Sequence, residues 1–224
     1  MLNTIKSYAK INLFLNVVDK LDTGFHELNS VLSRIDLYDE IRIKDESSFS
    51  ISYNGPFGDQ VGSNDHISKL FNYLIDKNYL KQKSFAIHVV KNIPVGSGLG
   101  GGSSNVAEII KYLIRSNLLD NSSSTEIARD LGSDIEFFID EGSALISGKG
   151  NVDQRLKINS DKHFLIVFPN VQNSTKEIFN KHSNLSGEKF SYNKDTNLDG
   201  ILKGTSNELE KTALLANQEM KKIR

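Results

Sequence analysis

The chain has no cysteine. Disulfides, cysteine–zinc sites, iron–sulfur clusters and thiol nucleophiles are thereby excluded, and a cysteine-free chain suits a reducing compartment. It also lacks a dominant charge. With 27 basic and 28 acidic residues the formal net charge is −1, so no global field draws it to nucleic acid or to an anionic membrane, and only a local basic patch is left open. No apolar run approaches the ~18 residues of a membrane span. The apolar opening is broken by Asn12 and Asn16 and leads to no small-residue cleavage site, unlike a signal peptide. The expectation is a cytoplasmic protein with no nucleic-acid and no membrane partner. His26, His66, His88, His163 and His182 are dispersed without metal-ligand spacing, so no protein-held metal is expected. No Gly-x-Ser-x-Gly elbow occurs, which disfavours a serine hydrolase.

What is present suits one or two globular domains: 224 residues, 38% of them hydrophobic. Residues 11–18 alternate as a half-buried strand does, and Asp22-Thr23-Gly24 signals a turn. Residues 28–37 fit a helical stripe and a strand pair equally. Ile41 and Ile43, then Phe49, Ile51 and Tyr53, alternate around a polar link and read as a hairpin. Helical spacing predicts helices over 65–80, after the glycine loop around Val106–Ile114, over Thr125–Leu131 ending at Gly132, and over 201–224. Strands are predicted at Phe85–Val90, Ala144–Gly148 and Phe164–Phe168, the last as a buried apolar run. Residues 180–200 read as a polar connection. Strands followed by mixed helix and strand suggest an α+β two-layer fold.

The most informative segment is Pro94-Val95-Gly96-Ser97-Gly98-Leu99-Gly100-Gly101-Gly102-Ser103-Ser104-Asn105. It joins a predicted strand to a predicted amphipathic helix. Glycine admits positive φ and close approach of a ligand, and a helix N-terminus presents unpaired N–H groups to an anion, most naturally a phosphate. Ser103 and Ser104 are further donors or helix caps. A flexible linker has no reason to stand between strand and helix. Walker A fails because no Gly-Lys-Ser/Thr closes the loop. Gly96-x-Gly98-x-x-Gly101, with Asp120 beyond, matches the dinucleotide pattern weakly. A protein-kinase loop is disfavoured by the absence of His-Arg-Asp and Asp-Phe-Gly.

The loop resembles the second motif of the GHMP small-molecule kinases. Three further segments match in order: Ala9-Lys10-Ile11-Asn12-Leu13-Phe14-Leu15, Gly24-Phe25-His26-Glu27-Leu28 and Leu131-Gly132-Ser133-Asp134. The triple glycine before Ser-Ser-Asn resembles the branch of that family whose substrate is 4-diphosphocytidyl-2-C-methyl-D-erythritol, in the non-mevalonate isoprenoid pathway. The resemblance implies a GHMP-kinase-like two-domain α+β fold. It would have an ATP-binding domain over residues 1–156 and an incomplete C-terminal α/β domain over 157–224. The implied activity is transfer of a phosphoryl group from ATP, with Mg2+, to the substrate 2-hydroxyl.

The resemblance also implies roles. Pro94, Gly96, Gly98, Leu99, Gly100, Gly101, Gly102, Ser103, Ser104 and Asn105 would hold the ATP phosphates. Asp134 would orient or deprotonate the acceptor hydroxyl. Read by its residues alone, Ser133-x-x-Glu136 equally mimics a capping box, and Asp134 a helix-dipole residue. Lys10 would stabilise the ionised Asp134 and the acceptor oxygen, and Asn12, on the same strand face, would bind substrate. His26 would hydrogen-bond cytosine, with Phe25 and Phe179 stacking on it. Without the family, Lys10 is a solvent-facing strand lysine, Asn12 belongs to an ordinary polar face, His26 is a surface histidine and Phe179 a core residue. Asn64 or Asp65 stands where adenine would be contacted. Phe25 replaces a frequent tyrosine, and Glu136 stands at a usual proline. The family carries a third glycine/serine-rich motif that this chain lacks, although Asn207-Glu208-Leu209-Glu210 resembles the segment preceding it. The expectation is a C-terminally short chain with a less stable 157–224 region. The alternative function is an inactive nucleotide- or metabolite-binding remnant.

Overall fold

A computed structural model describes residues 4–22, 24–62, 65–81, 85–158, 163–169, 175–182, 187, 189, 198–203, 207–217 and 219–220. The chain forms two compact units that are discontinuous in sequence: Met1–Ala9, Ile35–Val95 and Leu99–Glu141 in the first, Lys10–Arg34, Gly96–Gly98 and Gly142–Arg224 in the second. Two long paired strands, β1 (Thr4–Lys20) and β2 (His26–Asp45), contribute residues to both. Residues 28–37, which fitted helix and strand alike, are thus part of one extended strand.

In the first unit the sheet runs β3–β4–β2. Strand β4 (Phe85–Val90) pairs antiparallel with β2, from Glu40↔Val90 to Asp45↔Phe85. Strand β3 (Ser50–Asn54) pairs parallel with β4. The expected hairpin of β2 with β3 is therefore corrected. Alternation identifies strands but not their neighbours, and β4 takes the place between them. Its parallel pairing needs a crossover, which α1 (His66–Asp76) supplies. Phe85, Ile87 and Val89 are buried on one face of β4. Phe71 of α1 meets Phe85 and Phe49 at centroid distances of 5.6 and 4.8 Å. Helix α2 (Gly101–Arg115) buries Val106, Ile109, Ile110 and Leu113 at the predicted spacing and packs on α1. It also packs on α4 (Ser133–Ile139), which α3 (Ser124–Leu131) in turn contacts.

In the second unit β5 (Ser143–Gly148) lies between β2 and β6 (Asn151–Leu156), antiparallel to both. Leu13, Phe14, Val31, Leu145 and Leu156 form its core with Leu198 and Ile201 of α6 (Leu198–Lys203). The helices α5 (Thr175–Lys181) and α7 (Leu209–Ala216) pack together. Asn207 bridges to Leu15, and Glu208 donates its N–H to the Leu15 carbonyl at 2.9 Å. The buried strand expected at Phe164–Phe168 is overturned: these residues form no strand, and Leu165 is 89% exposed. An apolar run signals surface that can be buried, not a ladder partner. The polar connection read over 180–200 holds the end of α5 and the start of α6, and most of what lies between is outside the described residues. The single helix expected over 201–224 is corrected: α6 ends at Lys203 and α7 begins at Leu209, with Asn207 between them bridging to Leu15. Among the described residues no helix is long and apolar enough to cross a membrane.

Candidate active site

The loop after β4 reaches α2 through three alternating left-handed glycines, Gly96 (φ +70°), Gly98 (+76°) and Gly100 (+73°). Gly100 is the N-cap of α2, and no side chain caps that end. The first-turn amides and the positive dipole end are therefore not spent on a capping side chain, the arrangement an anion needs. Closer in, glycine is required by space. A Cβ on Gly101 would lie 2.9 Å from Ile93 Cγ2 and 3.0 Å from Lys91 Nζ. One on Gly102 would lie 3.3 Å from the His66 ring. At Gly98 the same position is open.

Ser103 is half-buried, whereas Pro94, Leu99, Ser104 and Asn105 are buried. The side chains of Ser104 and Asn105 turn inward. The Ser7 hydroxyl donates to Ser104 Oγ at 2.8 Å, and Asn105 Nδ2 donates to Ser7 Oγ at 2.9 Å and to Asp39 Oδ2 at 3.0 Å. These two residues anchor the helix start to β1 and β2, so what they offer outward is backbone. Asp39, which sequence reasoning missed, also accepts from the Lys91 ammonium and from the amides of Asn92 (2.8 Å) and Ile93 (2.9 Å). Nothing in the sequence sets it apart, because Asp36 and Glu40 are carboxylates on the same stretch of β2.

Asp134 lies half-buried in the first turn of α4. The capping-box alternative is not realised. The N-cap is Gly132 with no side-chain bond, Ser133 is already helical, and the Glu136 carboxylate accepts from Arg129 at 2.7 Å. The adenine-contact candidate Asn64 lies outside the described residues. Asp65 caps α1, accepting from the amides of Ile67 (2.8 Å) and Ser68 (2.9 Å) and from the Tyr53 hydroxyl (2.8 Å).

In the second unit Lys10 is only 6% exposed on β1. Its ammonium donates to Asn12 Oδ1 at 3.0 Å, and Asn12 Nδ2 donates to Ser30 Oγ at 2.9 Å. The Ser30 hydroxyl in turn donates to the Phe14 carbonyl at 2.5 Å. Because the Ser30 proton is committed to that carbonyl, Ser30 can only accept from Asn12, and the Asn12 oxygen is left to face Lys10. Ser30 is the second positioning residue that sequence reasoning missed.

The β1–β2 turn is closed by Leu21 N–H to the Phe25 carbonyl and Gly24 N–H to the Leu21 carbonyl, both 2.8 Å, with Gly24 at φ +82°. It sets Phe25 in the pair that closes it, 61% exposed, with the Lys149 ammonium 5.2 Å from the ring centroid. The next residue, His26, meets Phe179 of α5 with ring centroids 5.4 Å apart and planes tilted by 30°. Burial first, then the charges of Lys20 and His182, pushes His26 below the usual histidine range, which favours the neutral ring. Residues 153 positions apart in sequence thus form one aromatic contact. Among the described residues, no three histidine, aspartate or glutamate side chains converge to hold a metal.

A model of the GHMP kinases N terminal domain matches residues 65–145, which contain α1, the glycine loop and α4. A 4-diphosphocytidyl-2-C-methyl-D-erythritol kinase of Pelagibacter ubique is 36% identical, over 98% of this chain and 79% of its own length. The chain belongs to the GHMP kinase family. A kinase of the same name from Prochlorococcus marinus is 38% identical, over 80% of this chain and 59% of its own length. The crystal structure of a 4-(cytidine 5'-diphospho)-2C-methyl-D-erythritol kinase matches with a TM-score of 0.76 at 25% identity, over 99% of this chain and 81% of that one. Mevalonate kinase of Methanococcus jannaschii shares the fold, with a TM-score of 0.55 at 16% identity. The α+β architecture expected of a GHMP kinase is the one observed. Membership of a family of small-molecule kinases also sets the dinucleotide pattern aside. Asp120, its acidic partner, caps a 3-10 turn by accepting from the Ser122 amide at 3.0 Å.

Proposed function

We propose that this GHMP kinase transfers the γ-phosphoryl group of ATP to the 2-hydroxyl of 4-diphosphocytidyl-2-C-methyl-D-erythritol, a step of the non-mevalonate isoprenoid pathway. The observation that carries this reading is the uncapped start of α2 behind Gly96, Gly98 and Gly100. It stands in a chain that matches a relative of that name over 98% of its length. The donors fit the anion: backbone amides, no competing side-chain cap, and glycines that leave room for phosphate. Magnesium-bound ATP supplies the phosphoryl group and neutralises its charge.

Residues 96–104 hold the phosphates through their amides, with Pro94 and Leu99 shaping the loop and Asn105 anchoring it. Asp134 takes the proton from the acceptor hydroxyl as the oxygen–phosphorus bond forms and ADP leaves. Lys10 stabilises the charge on the acceptor oxygen, and Asn12, oriented by Ser30, binds the sugar. Phe25 and Phe179 stack on cytosine, and His26 reads its edge. The nucleotide-binding domain is proposed to span 1–156 and the second domain 157–224.

A coupled assay of ADP release, with Mg2+–ATP and the cytidylyl sugar, tests this. ADP formation should require the sugar nucleotide, and Asp134→Asn should lower kcat by about 10²–10⁴-fold, the usual contribution of a positioned base. ADP release indifferent to the sugar nucleotide, or an unimpaired Asp134→Asn, would sink the assignment. ATP binding without turnover would favour a metabolite-binding role.

A further inference from the structure

The loop's two ends are tied by one residue that reaches no surface at either end. Asp39 is 0% exposed on β2, and its carboxylate bonds to the strand exit on one side and to the helix start on the other. Oδ1 accepts from two consecutive amides, Asn92 and Ile93, where the chain leaves β4. Oδ2 accepts from Lys91, itself 4% exposed, and from Asn105, the fifth residue of α2. Four donors on one carboxylate satisfy nearly all its lone pairs, which is what makes a buried charge tolerable. The neighbouring atoms add a second tie. Ile93 Cγ2 lies 2.9 Å from where a Gly101 side chain would begin, so the residues that open and close the loop are in contact.

We infer that Asp39 is a positioning residue for nucleotide binding: it holds Asn92–Ile93 and Asn105 at a set separation, so that the amides between them are spaced for a phosphate before any nucleotide arrives. This rests on the reading of the loop as the ATP phosphate site. A core that only needed filling would be served as well by apolar side chains. What the carboxylate adds is direction, because it ends on amides at one end of the loop and on a side-chain amide at the other. Preset geometry lowers the ordering cost of binding, so the expected consequence of losing it is weaker nucleotide affinity rather than slower chemistry.

The test compares full-length wild type with Asp39→Asn by titrating Mg2+–ADP and, separately, CDP, with a thermal melt of each protein. The variant should bind ADP about tenfold more weakly, as one unsatisfied buried contact implies, while its affinity for CDP stays within about twofold, less than a typical lost contact would cost. Equal ADP affinity in the two proteins would overturn the proposal, and so would a parallel loss of ADP and CDP binding, the sign of general unfolding. If wild type itself binds no ADP, the phosphate reading fails, and the role of Asp39 falls with it. Hydrogen exchange on wild type covers the case in which the variant does not fold. The amides of Asn92 and Ile93 should be as protected as the β4 ladder before nucleotide is added. Exchange at the rate of an open loop until ADP binds would overturn the inference.

Discussion

On the proposed function, the two units would recognise their ligands with different materials. In the first, the parts offered to a ligand would be backbone amides, and side chains are turned inward to hold them: Ser104 and Asn105 on Ser7, and Asp39 on Lys91 and two amides. In the second they would be rings, exposed Phe25 where the β1–β2 turn closes and half-buried His26 against Phe179. The same unit holds a chain of hydrogen bonds from Lys10 through Asn12 and Ser30 to the Phe14 carbonyl. Phosphate is the same in every nucleotide, so a backbone cradle is sufficient for it, and its accuracy depends on buried anchors. A base must be told from other bases, which requires side chains with faces and edges. The contrast predicts that damage in the first unit should be steric and global, and damage in the second local and ligand-specific.

The largest effect is expected at Gly101. Valine there drives its Cβ to within 2.9 Å of Ile93 Cγ2 and 3.0 Å of Lys91 Nζ. Ile93 is fully buried and Lys91 is committed to Asp39, so neither yields cheaply. Overpacking of this kind costs about 1–3 kcal/mol, and urea denaturation of Gly101→Val should show the upper part of that range together with lost ADP binding. Gly98→Ala is the control. Its Cβ meets nothing, but φ is +76°, and a left-handed alanine costs roughly 1 kcal/mol. Equal losses in the two variants would mean that the glycines serve as an undifferentiated linker.

A smaller and more selective loss is expected in the second unit. Phe179→Ala removes the ring 5.4 Å from His26. Stacking of a base on an aromatic ring is worth about 1–3 kcal/mol, so CDP should bind about tenfold more weakly or worse. ADP titrated into the same variant should bind as it does to wild type. A variant that loses both nucleotides equally would erase the distinction between backbone and side-chain recognition.

How much of this was legible depended on how local the signal is. The strand β4, the helices α1 and α2 and the loop between them follow from periodicity and glycine spacing over short stretches of chain, and the structure has them where the sequence puts them. The pairing of β3 did not follow, because alternation at Ile51 and Tyr53 fits any neighbour, and β4, which takes that place, comes only after α1. The run Phe164–Phe168 misled for the same reason: it states hydrophobicity and not a partner. At the candidate site the family motifs pointed to Lys10, Asn12, His26 and Phe179. The local reading of each was a strand face, a turn or a core helix, because Phe179 meets His26 only through the fold. Asp39 and Ser30 carried no motif at all. Their roles exist only once Asn105 and Asn12 are brought to them by elements far away in sequence.

The smallest effect expected is that of pH on the second unit. His26 is pushed below the ordinary histidine value, chiefly by burial and then by the charges of Lys20 and His182. A histidine whose folded value is depressed takes up its proton in the unfolded chain first. Its contribution to stability is therefore whole above about pH 6.5 and is lost as pH falls through the lower folded value. Urea midpoints at pH 7.5 and 5.5 should differ, and in His26→Gln that difference should shrink, by an amount small beside the ~1–3 kcal/mol expected of overpacking at Gly101. Glutamine keeps a polar edge toward the site but does not titrate. A difference of unchanged size in the variant would mean that the proton is taken up elsewhere, and that the neutral ring packed on Phe179 is not what acid disturbs.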